Sequence, residues 1–325
     1  MALGLLINGD DNPNNLPGTA GDDEIHGLGG NDSIQGLSGN DLIYGNLGND
    51  RIDITNADAD GNDTIYGGQG NDLIGSALGT ASGTDLIYGN FGDDDINGGA
   101  GNDTLFGGQN NDTLQGGNGN DLIYGNLGND HLDGDAGNDT LYGGQGDDGL
   151  HSQGGNDVVY GNFGNDTIGS SGIEGGNDTM YGGQGNDLLI EQGGLDSNSD
   201  LMFGNLGADT FDFSALDASG ANNATADHIG DFSTAQGDKI KIDVTGTMEL
   251  LLISNASVNS VDTAIAAATS ANAFDIADVV FVTGPGSNGF LLVDQNDSGA
   301  FGSATDFAIV LQNVTTLSAS DIIAT

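Results

Sequence analysis

An aspartate returns on a nine-residue beat through more than half of this 325-residue chain. From Gly18 to Asp212 the sequence divides into twenty units of the form G-G-x-G-N-D-x-apolar-x, with three- or four-residue insertions between some of them. The sixth position is aspartate in all twenty: Asp23, Asp32, Asp41, Asp50, Asp63, Asp72, Asp85, Asp94, Asp103, Asp112, Asp121, Asp130, Asp139, Asp148, Asp157, Asp166, Asp178, Asp187, Asp200 and Asp209. Carboxylates can move protons, attack as nucleophiles or ligate hard cations. The neighbours favour the last role, because Gly-rich loops expose backbone carbonyls beside the carboxylates and calcium takes about six to eight such oxygens. Turn-making alone accounts for Asn and Asp in loops. It does not account for an invariant Asp in a segment holding 34 acids against one base, Arg51.

Catalysis finds little support. There is no H-E-x-x-H and no G-x-S-x-G motif. The four histidines, His26, His131, His151 and His228, are read as scattered, three at outward repeat positions and one in the Asp227–Phe232 stretch beyond the repeats. Aspartates committed to a cation are poor acid–base groups, so the chain is expected not to be an enzyme.

The elements that must hold these aspartates follow from the rest of the unit. Glycine is the fourth residue in eighteen units, with Asn110 and Asn198 the exceptions, so the first half of each unit reads as a tight loop. The last three residues alternate out, in, out around an apolar eighth position, from Ile25 and Ile34 to Met202 and Phe211. That is the period of a short strand with one buried side chain. Two units make one turn of 18 residues, and stacked turns give two parallel sheets around a thin aliphatic core. The expected fold class is all-β, a parallel β-roll of about ten turns.

Stretches such as Gly67-Gly68-Gln69-Gly70-Asn71-Asp72-Leu73-Ile74 resemble the RTX, or haemolysin-type, calcium-binding repeat. The resemblance implies a β-roll in which Ca2+ sits between loops of successive turns, held by backbone carbonyls and the sixth-position aspartates. Roughly a dozen or more ions are expected on that basis.

Insertions at Ile54–Ala57, Ser76–Gly79, Ser170–Gly172 and Glu191–Gly194 all fall between an even unit and the next odd one. One row of loops is therefore interrupted and the other is not. The uninterrupted row should carry the regular file of ions, and the interrupted row should do best at units nine, eleven, thirteen and fifteen. The ninth position of odd units is aromatic, His26, Tyr44, Tyr66, Tyr88, Phe106, Tyr124, Tyr142, Tyr160, Tyr181 and Phe203, and these side chains should point outward as a ladder on one sheet. The ladder reads either as stacking that stiffens the sheet or as a contact face, since large outward apolar patches usually meet something.

Three regions are expected: an N-terminal cap over residues 1–17, the calcium-binding roll over 18–212, and a β-rich C-terminal cap over 213–325. Leu3, Leu5, Leu6 and Ile7 are available to cover the first turn, and Asp10–Pro17 reads as loop. After Phe213 glycine falls and both lysines appear. Asp227-His228-Ile229-Gly230-Asp231-Phe232, Gly237-Asp238-Lys239-Ile240-Lys241-Ile242 and the ending around Asp306–Leu311 and Leu317–Ile323 resemble the C-terminal cap that follows RTX repeats. In that family the cap carries an uncleaved signal for type I secretion, which would fit the lack of a basic N-terminal signal in Met1–Ile7. Part of Thr247–Ala271 reads as helix. Asp294-Gln295-Asn296-Asp297-Ser298-Gly299 reads equally as a calcium loop, with Asp294 and Asn296 as ligands, or as an Asx-rich turn.

Composition narrows the partners. With 49 acids against 3 bases, a formal charge of −46, the surface cannot displace counterions from nucleic acid. No apolar run reaches the length of a membrane helix, and the absence of cysteine removes disulfides and thiolate sites. The expectation is a secreted, extracellular calcium-binding structural protein that self-associates as a surface-layer or filament subunit. The alternatives are an adhesin for a cell-surface glycan or another surface, and a soluble calcium-binding protein.

Overall fold

The computed structural model describes residues 4–53, 61–75, 83–170, 176–191, 199–213, 227–242, 250–254, 264, 279–283, 288–293, 307–314 and 316–324. The chain is the expected all-β parallel β-solenoid, about ten turns at an 18-residue spacing. It forms two compact units, Met1–Gln153 with Tyr160–Phe163, and Gly154–Val159 with Gly164–Thr325.

In the first unit, odd and even strands build separate sheets. One sheet contains β1 (Leu6–Asn8), β3 (Glu24–Gly29), β5 (Leu42–Leu47), β7 (Thr64–Gln69), β9 (Leu86–Phe91), β11 (Thr104–Gln109), β13 (Leu122–Leu127) and β15 (Thr140–Gln145). The other contains β2 (Asn15–Thr19), β4 (Ser33–Leu37), β6 (Arg51–Asp53), β8 (Leu73–Gly75), β10 (Asp95–Ala100), β12 (Thr113–Asn118), β14 (His131–Ala136) and β16 (Gly149–His151). Every rung is parallel and joins equivalent repeat positions, as in Ile43↔Ile65 and Leu114↔Leu132. The eighth-position residues form the core: Ile25, Ile43, Ile65 and Ile87 from one sheet and Ile34, Ile52, Ile74 and Ile96 from the other are fully or almost fully buried.

The odd strands are longer than the three residues expected. Pairing resumes after the first position of the next unit, as Tyr44↔Tyr66 is followed by Asn46↔Gly68 and Leu47↔Gln69. Asn46 sits there at φ 75° and Gly68 at φ 119°. Only glycine and asparagine take this left-handed angle readily, which explains why these two residues alternate at the second position. The fourth position has the same requirement: Gly48 and Gly70 lie at φ 128° and 120°, and the exceptional Asn110 at φ 79°.

The N-terminal residues differ from expectation. β1 and β2 extend both sheets ahead of Gly18, with Ile7 in register with Ile25 and Leu16 with Ile34. Strand register puts the core positions at Ile7 and Leu16, so Leu5 and Leu6 stay 50% and 65% exposed and do not cover the core. Leu3 lies outside the described residues, and Asn15–Thr19 is strand instead of loop.

β17 (Val158–Phe163) falls at the division between the units. The second unit has a two-sheet pattern of its own, with β18 (Thr167–Ser170), β19 (Thr179–Gln184), β20 (Leu188–Glu191), β21 (Leu201–Leu206) and β22 (Thr210–Asp212). The parallel ladder does not stop at Asp212. β23 (Asp227–Ile229) pairs with β21 and β24 (Lys239–Ile242) with β22. Beyond them β28 (Phe307–Leu311) pairs with β23 and β29 (Ile322–Ala324) with β24. β25 (Leu250–Ser254), β26 (Val279–Thr283) and β27 (Gly289–Val293) complete the sheet, with β27 antiparallel to both β26 and β28. Within Thr247–Ala271, expected to be partly helical, Leu250–Ser254 is strand, and of the Ala264–Ala268 run only Ala264, in helical conformation, lies inside the described residues. Among the described residues no helix is long and apolar enough to cross a membrane.

Candidate metal sites along the aspartate file

Each unit places its sixth residue just before a strand, where the chain turns inward. All twenty repeat aspartates are buried, at 6% exposure or less. Oδ1 of Asp23 and Asp32, at the start of the two rows, accepts the backbone N–H of Leu5 and Asn14, and from there on Oδ1 accepts the backbone N–H of the aspartate one turn before it. In the first unit the even row runs Asp32 to Asp50, Asp50 to Asp72 and Asp72 to Asp94 at 2.8 Å each, then Asp94 to Asp112 at 2.9 Å. The odd row runs Asp23 to Asp41 and Asp41 to Asp63 at 2.8 Å. The second unit repeats the arrangement from Asp166 to Asp187 and from Asp187 to Asp209, at 2.9 Å each.

The insertions leave this ladder intact. Asp41 and Asp63 are 22 residues apart, as are Asp63 and Asp85, yet both bonds measure 2.8 Å. The inserted residues 54–57 and 76–79 themselves lie outside the described residues.

The second carboxylate oxygen has no such use. Oδ2 of Asp32, Asp50, Asp72, Asp94, Asp112 and Asp130 in the even row, and of Asp41, Asp103 and Asp121 in the odd row, is buried and accepts no hydrogen bond. An ionised oxygen left this way is costly unless a proton or cation joins it. Protein cations do not: the described ion pairs of Arg51, Lys241 and Lys239 go to Asp53, Asp212 and Asp321. Burial therefore pushes these carboxyls up, to about 7 for Asp41, Asp72 and Asp121 and about 8 for Asp112. Neighbouring aspartates in the file push in the same direction at Asp41, Asp72, Asp112 and Asp121.

The glycine that opens fifteen of the twenty units completes the cradle. A Cβ at Gly45 would sit 2.5 Å from Asp50 Oδ2 and 2.5 Å from the carbonyl oxygen of Gly67 on the next turn. At Gly27 the same distances, to Asp32 Oδ2 and Gly45 O, are 2.5 and 2.6 Å. Each carboxylate oxygen is thus within about 5 Å of a backbone carbonyl on the following turn, a span two calcium–oxygen bonds can bridge. An all-oxygen donor set, buried negative charge and a side-chain-free wall all fit Ca2+. The first position is not glycine in the units that follow insertions, where it is Asp58, Thr80, Ile173 and Leu195, nor at Ser152.

Some features were not read from sequence. Asp227 and Asp238 join the ladder, their Oδ1 atoms accepting from Asp200 and Asp209 at 3.2 Å. They lie 27 and 29 residues beyond their donors, farther than the 18 to 22 within the repeats, which hid them as continuing members. The fifth-position asparagines make a parallel exposed ladder, Asn49 N–H to Asn31 Oδ1 at 3.0 Å and Asn129 N–H to Asn111 Oδ1 at 2.8 Å. The histidines are not all scattered: His131 and His151 meet across adjacent turns with ring centroids 5.1 Å apart. Asp294 and Asn296 lie outside the described residues.

The aromatic column stacks as a ladder. From His26 through Tyr44, Tyr66, Tyr88, Phe106, Tyr124, Tyr142 and Tyr160, neighbouring rings lie 4.7–5.1 Å apart and within 9° of parallel. In the second unit Tyr181 and Phe203 stack at 4.9 Å. Beside this column on the first unit, Leu47, Phe91, Leu127 and Phe163 are about half exposed.

A family model for the RTX calcium-binding nonapeptide repeat (4 copies) matches residues 17–52, 58–81, 79–114, 106–141, 115–150, 133–168 and 174–190, about half of the chain. No curated protein matches. Among solved structures, the chain is similar to the solution structure of the AlgE6R3 subunit from the Azotobacter vinelandii mannuronan C5-epimerase, at 20% identity over 70% of this chain and 78% of that one, with a TM-score of 0.20. An overlap that small carries no argument about activity. The repeat pattern, its parallel coil and the family match together place the chain in the family of RTX calcium-binding nonapeptide repeat proteins.

Proposed function

We propose that this is a secreted structural protein that folds on calcium and then self-assembles through its aromatic sheet. The observation that carries the calcium half is the file of buried Oδ2 atoms with neither hydrogen bond nor protein cation. Bound calcium supplies the positive charge those carboxylates lack. Asp32, Asp50, Asp72, Asp94, Asp112 and Asp130 would be side-chain ligands in the even row, and Asp41, Asp103 and Asp121 in the odd row, with backbone carbonyls of adjoining turns. Their Oδ1 atoms meanwhile hold the turns in register. The remaining repeat aspartates occupy equivalent positions and take the same role where the glycine wall is present.

Assembly rests on the outer face. Leu47, Phe91, Leu127 and Phe163 recur every second turn, with Gln69, Gln109 and Gln145 between them. This exposed apolar row flanks a stacked, uncharged column of Tyr and Phe. A second copy offers the same period and composition, so the rows match in register. Calcium lowers the charge of −46 that otherwise holds copies apart. Export by the type I route, with residues 213–325 as secretion cap and 1–17 as N-terminal cap, completes the reading.

Electron microscopy and light scattering of the calcium-loaded protein test it. Wild type should form ordered polymers, and Phe91→Ser/Leu127→Ser/Phe163→Ser should stay monomeric with an unchanged circular dichroism spectrum. A wild type that remains monomeric with calcium at high concentration would contradict assembly and favour the soluble binding protein.

A further inference from the structure

We propose that His131, Asp133 and His151 form a binding site for a borderline transition-metal ion of the zinc class, separate from the calcium file. The three lie on the outer face of β14 and β16, on the sheet that does not carry the aromatic ladder. Their register is fixed by the backbone: Asp133 is the direct parallel partner of His151, and His131 is two residues before Asp133 on the same face. One ligand atom from each residue can be chosen so that all lie within 4.8 Å of one another. His131 Nε2 is 3.5 Å from Asp133 Oδ2, and His151 Nδ1 is 3.4 Å from Asp133 Oδ1.

Those separations suit coordination better than hydrogen bonding. They are long for N–H···O contacts. Each is close to the edge of a zinc tetrahedron, about 3.3 Å when the bonds are near 2.0–2.1 Å, and because the two histidines face opposite oxygens of Asp133 an ion would draw the three inward from their present spread of up to 4.8 Å. His151 Nδ1 is itself buried with no hydrogen-bond partner. Two imidazoles and one carboxylate select zinc, nickel or copper over calcium, which prefers oxygen alone. All three side chains are only partly covered, leaving positions open for water.

The sequence makes room for this cluster at one place. The partner of His131 on the next turn is Gly149, where a Cβ would meet His131 Nδ1 at 3.4 Å. Every other even unit carries a side chain at that seventh position, from Ser33 and Arg51 to Thr167 and Thr210. A Cβ there would only touch the ring, and it is a longer side chain that would compete with His131 for the space beside His151. By contrast His26 pairs with Glu24 at 2.9 Å and stacks on Tyr44, and among the described residues no second imidazole completes a set there.

The test is zinc titration of the full chain in saturating calcium, followed by calorimetry and metal analysis after dialysis. One zinc per chain is expected. Asp133→Asn and His151→Gln should each weaken binding at least tenfold, while His26→Gln should not. The calcium-dependent circular dichroism of each variant guards against a folding defect. A second measurement needs no variant: substoichiometric Cu2+ should broaden the ring resonances of His131 and His151 before those of His26 and His228. Equal zinc uptake by wild type and His131→Gln/His151→Gln, or uniform broadening of all four histidines, would overturn the site.

Discussion

The backbone N–H of Asp112 donates to Oδ1 of Asp130 at 2.8 Å, across 18 residues and one turn of the coil. One carboxylate therefore does two jobs. Its first oxygen locks turn to turn, and its second faces a cradle of carbonyls with nothing to neutralise it. Asp130→Asn separates the jobs, because an amide oxygen can still accept from Asp112 but carries no charge. It should keep the fold in excess calcium while lowering calcium stoichiometry. Asp130→Ala loses both and strands a buried donor, a cost of about 1–3 kcal/mol more. Equilibrium dialysis and calcium-loaded denaturation of the two variants distinguish these outcomes.

The glycine wall makes a sharper prediction. A methyl at Gly45 would press on both Asp50 Oδ2 and the Gly67 carbonyl. Gly45→Ala should raise the calcium midpoint, by roughly tenfold if the clash costs about 1.4 kcal/mol at the affected site. Units that follow insertions already lack this glycine, Thr80 standing before Asp85. Asp85→Asn should therefore change calcium uptake less than Asp130→Asn. Equal losses would show that the glycine wall is not part of the site.

Protons and calcium compete for the same oxygens. In the calcium-free fold burial raises the carboxyls of Asp41, Asp72 and Asp121 to about 7 and Asp112 to about 8, above their unfolded value near 3.8. The folded chain then binds more protons than the unfolded one between pH 4 and 8, so stability falls as pH rises through that window. Without calcium, β-structure should persist near pH 5 and be lost by pH 8. With calcium the order reverses, since binding requires the ionised form, and affinity should climb between pH 6 and 8. Circular dichroism across pH, with and without chelator, reads both slopes.

Tyr124 lies between Phe106 at 4.9 Å and Tyr142 at 4.8 Å, nearly parallel to both. Tyr124→Ser removes two stacked pairs, each worth about 0.5–1.5 kcal/mol beyond burial. It should lower calcium-loaded stability by about 1–3 kcal/mol, whereas Phe91→Ser, at a half-exposed neighbour of the ladder, should change it by less than about 0.5 kcal/mol. Denaturant unfolding in saturating calcium gives the comparison.

The coil was legible because its causes are local and repeated. An apolar residue at every eighth position and glycine or asparagine wherever φ must be positive specify loop, strand and core together, as Ile43, Asn46 and Gly48 do in one stretch. The aspartate file followed from the same period. What escaped depended on neighbours one turn away. Leu5 and Leu6 read as apolar cover, but register with β3 gives the core place to Ile7. Asp227 and Asp238 continue the ladder across gaps of 27 and 29 residues, longer than the 18 to 22 that separate neighbours within the repeats. His131 and His151 are twenty residues apart in sequence and meet because 18 residues make a turn, which sets Asp133 beside His151 and His131 beside Gly149.

The central claim is that calcium is part of the fold, since binding free energy becomes folding free energy when the site exists only in the folded chain. Far-ultraviolet circular dichroism at pH 8 in excess EGTA, followed by calcium titration, tests it most directly. The account predicts an unfolded spectrum in chelator and cooperative recovery of β-structure at about 10⁻⁴–10⁻³ M calcium, the range of extracellular modules. A full β-spectrum in EGTA, unchanged by calcium, would contradict it.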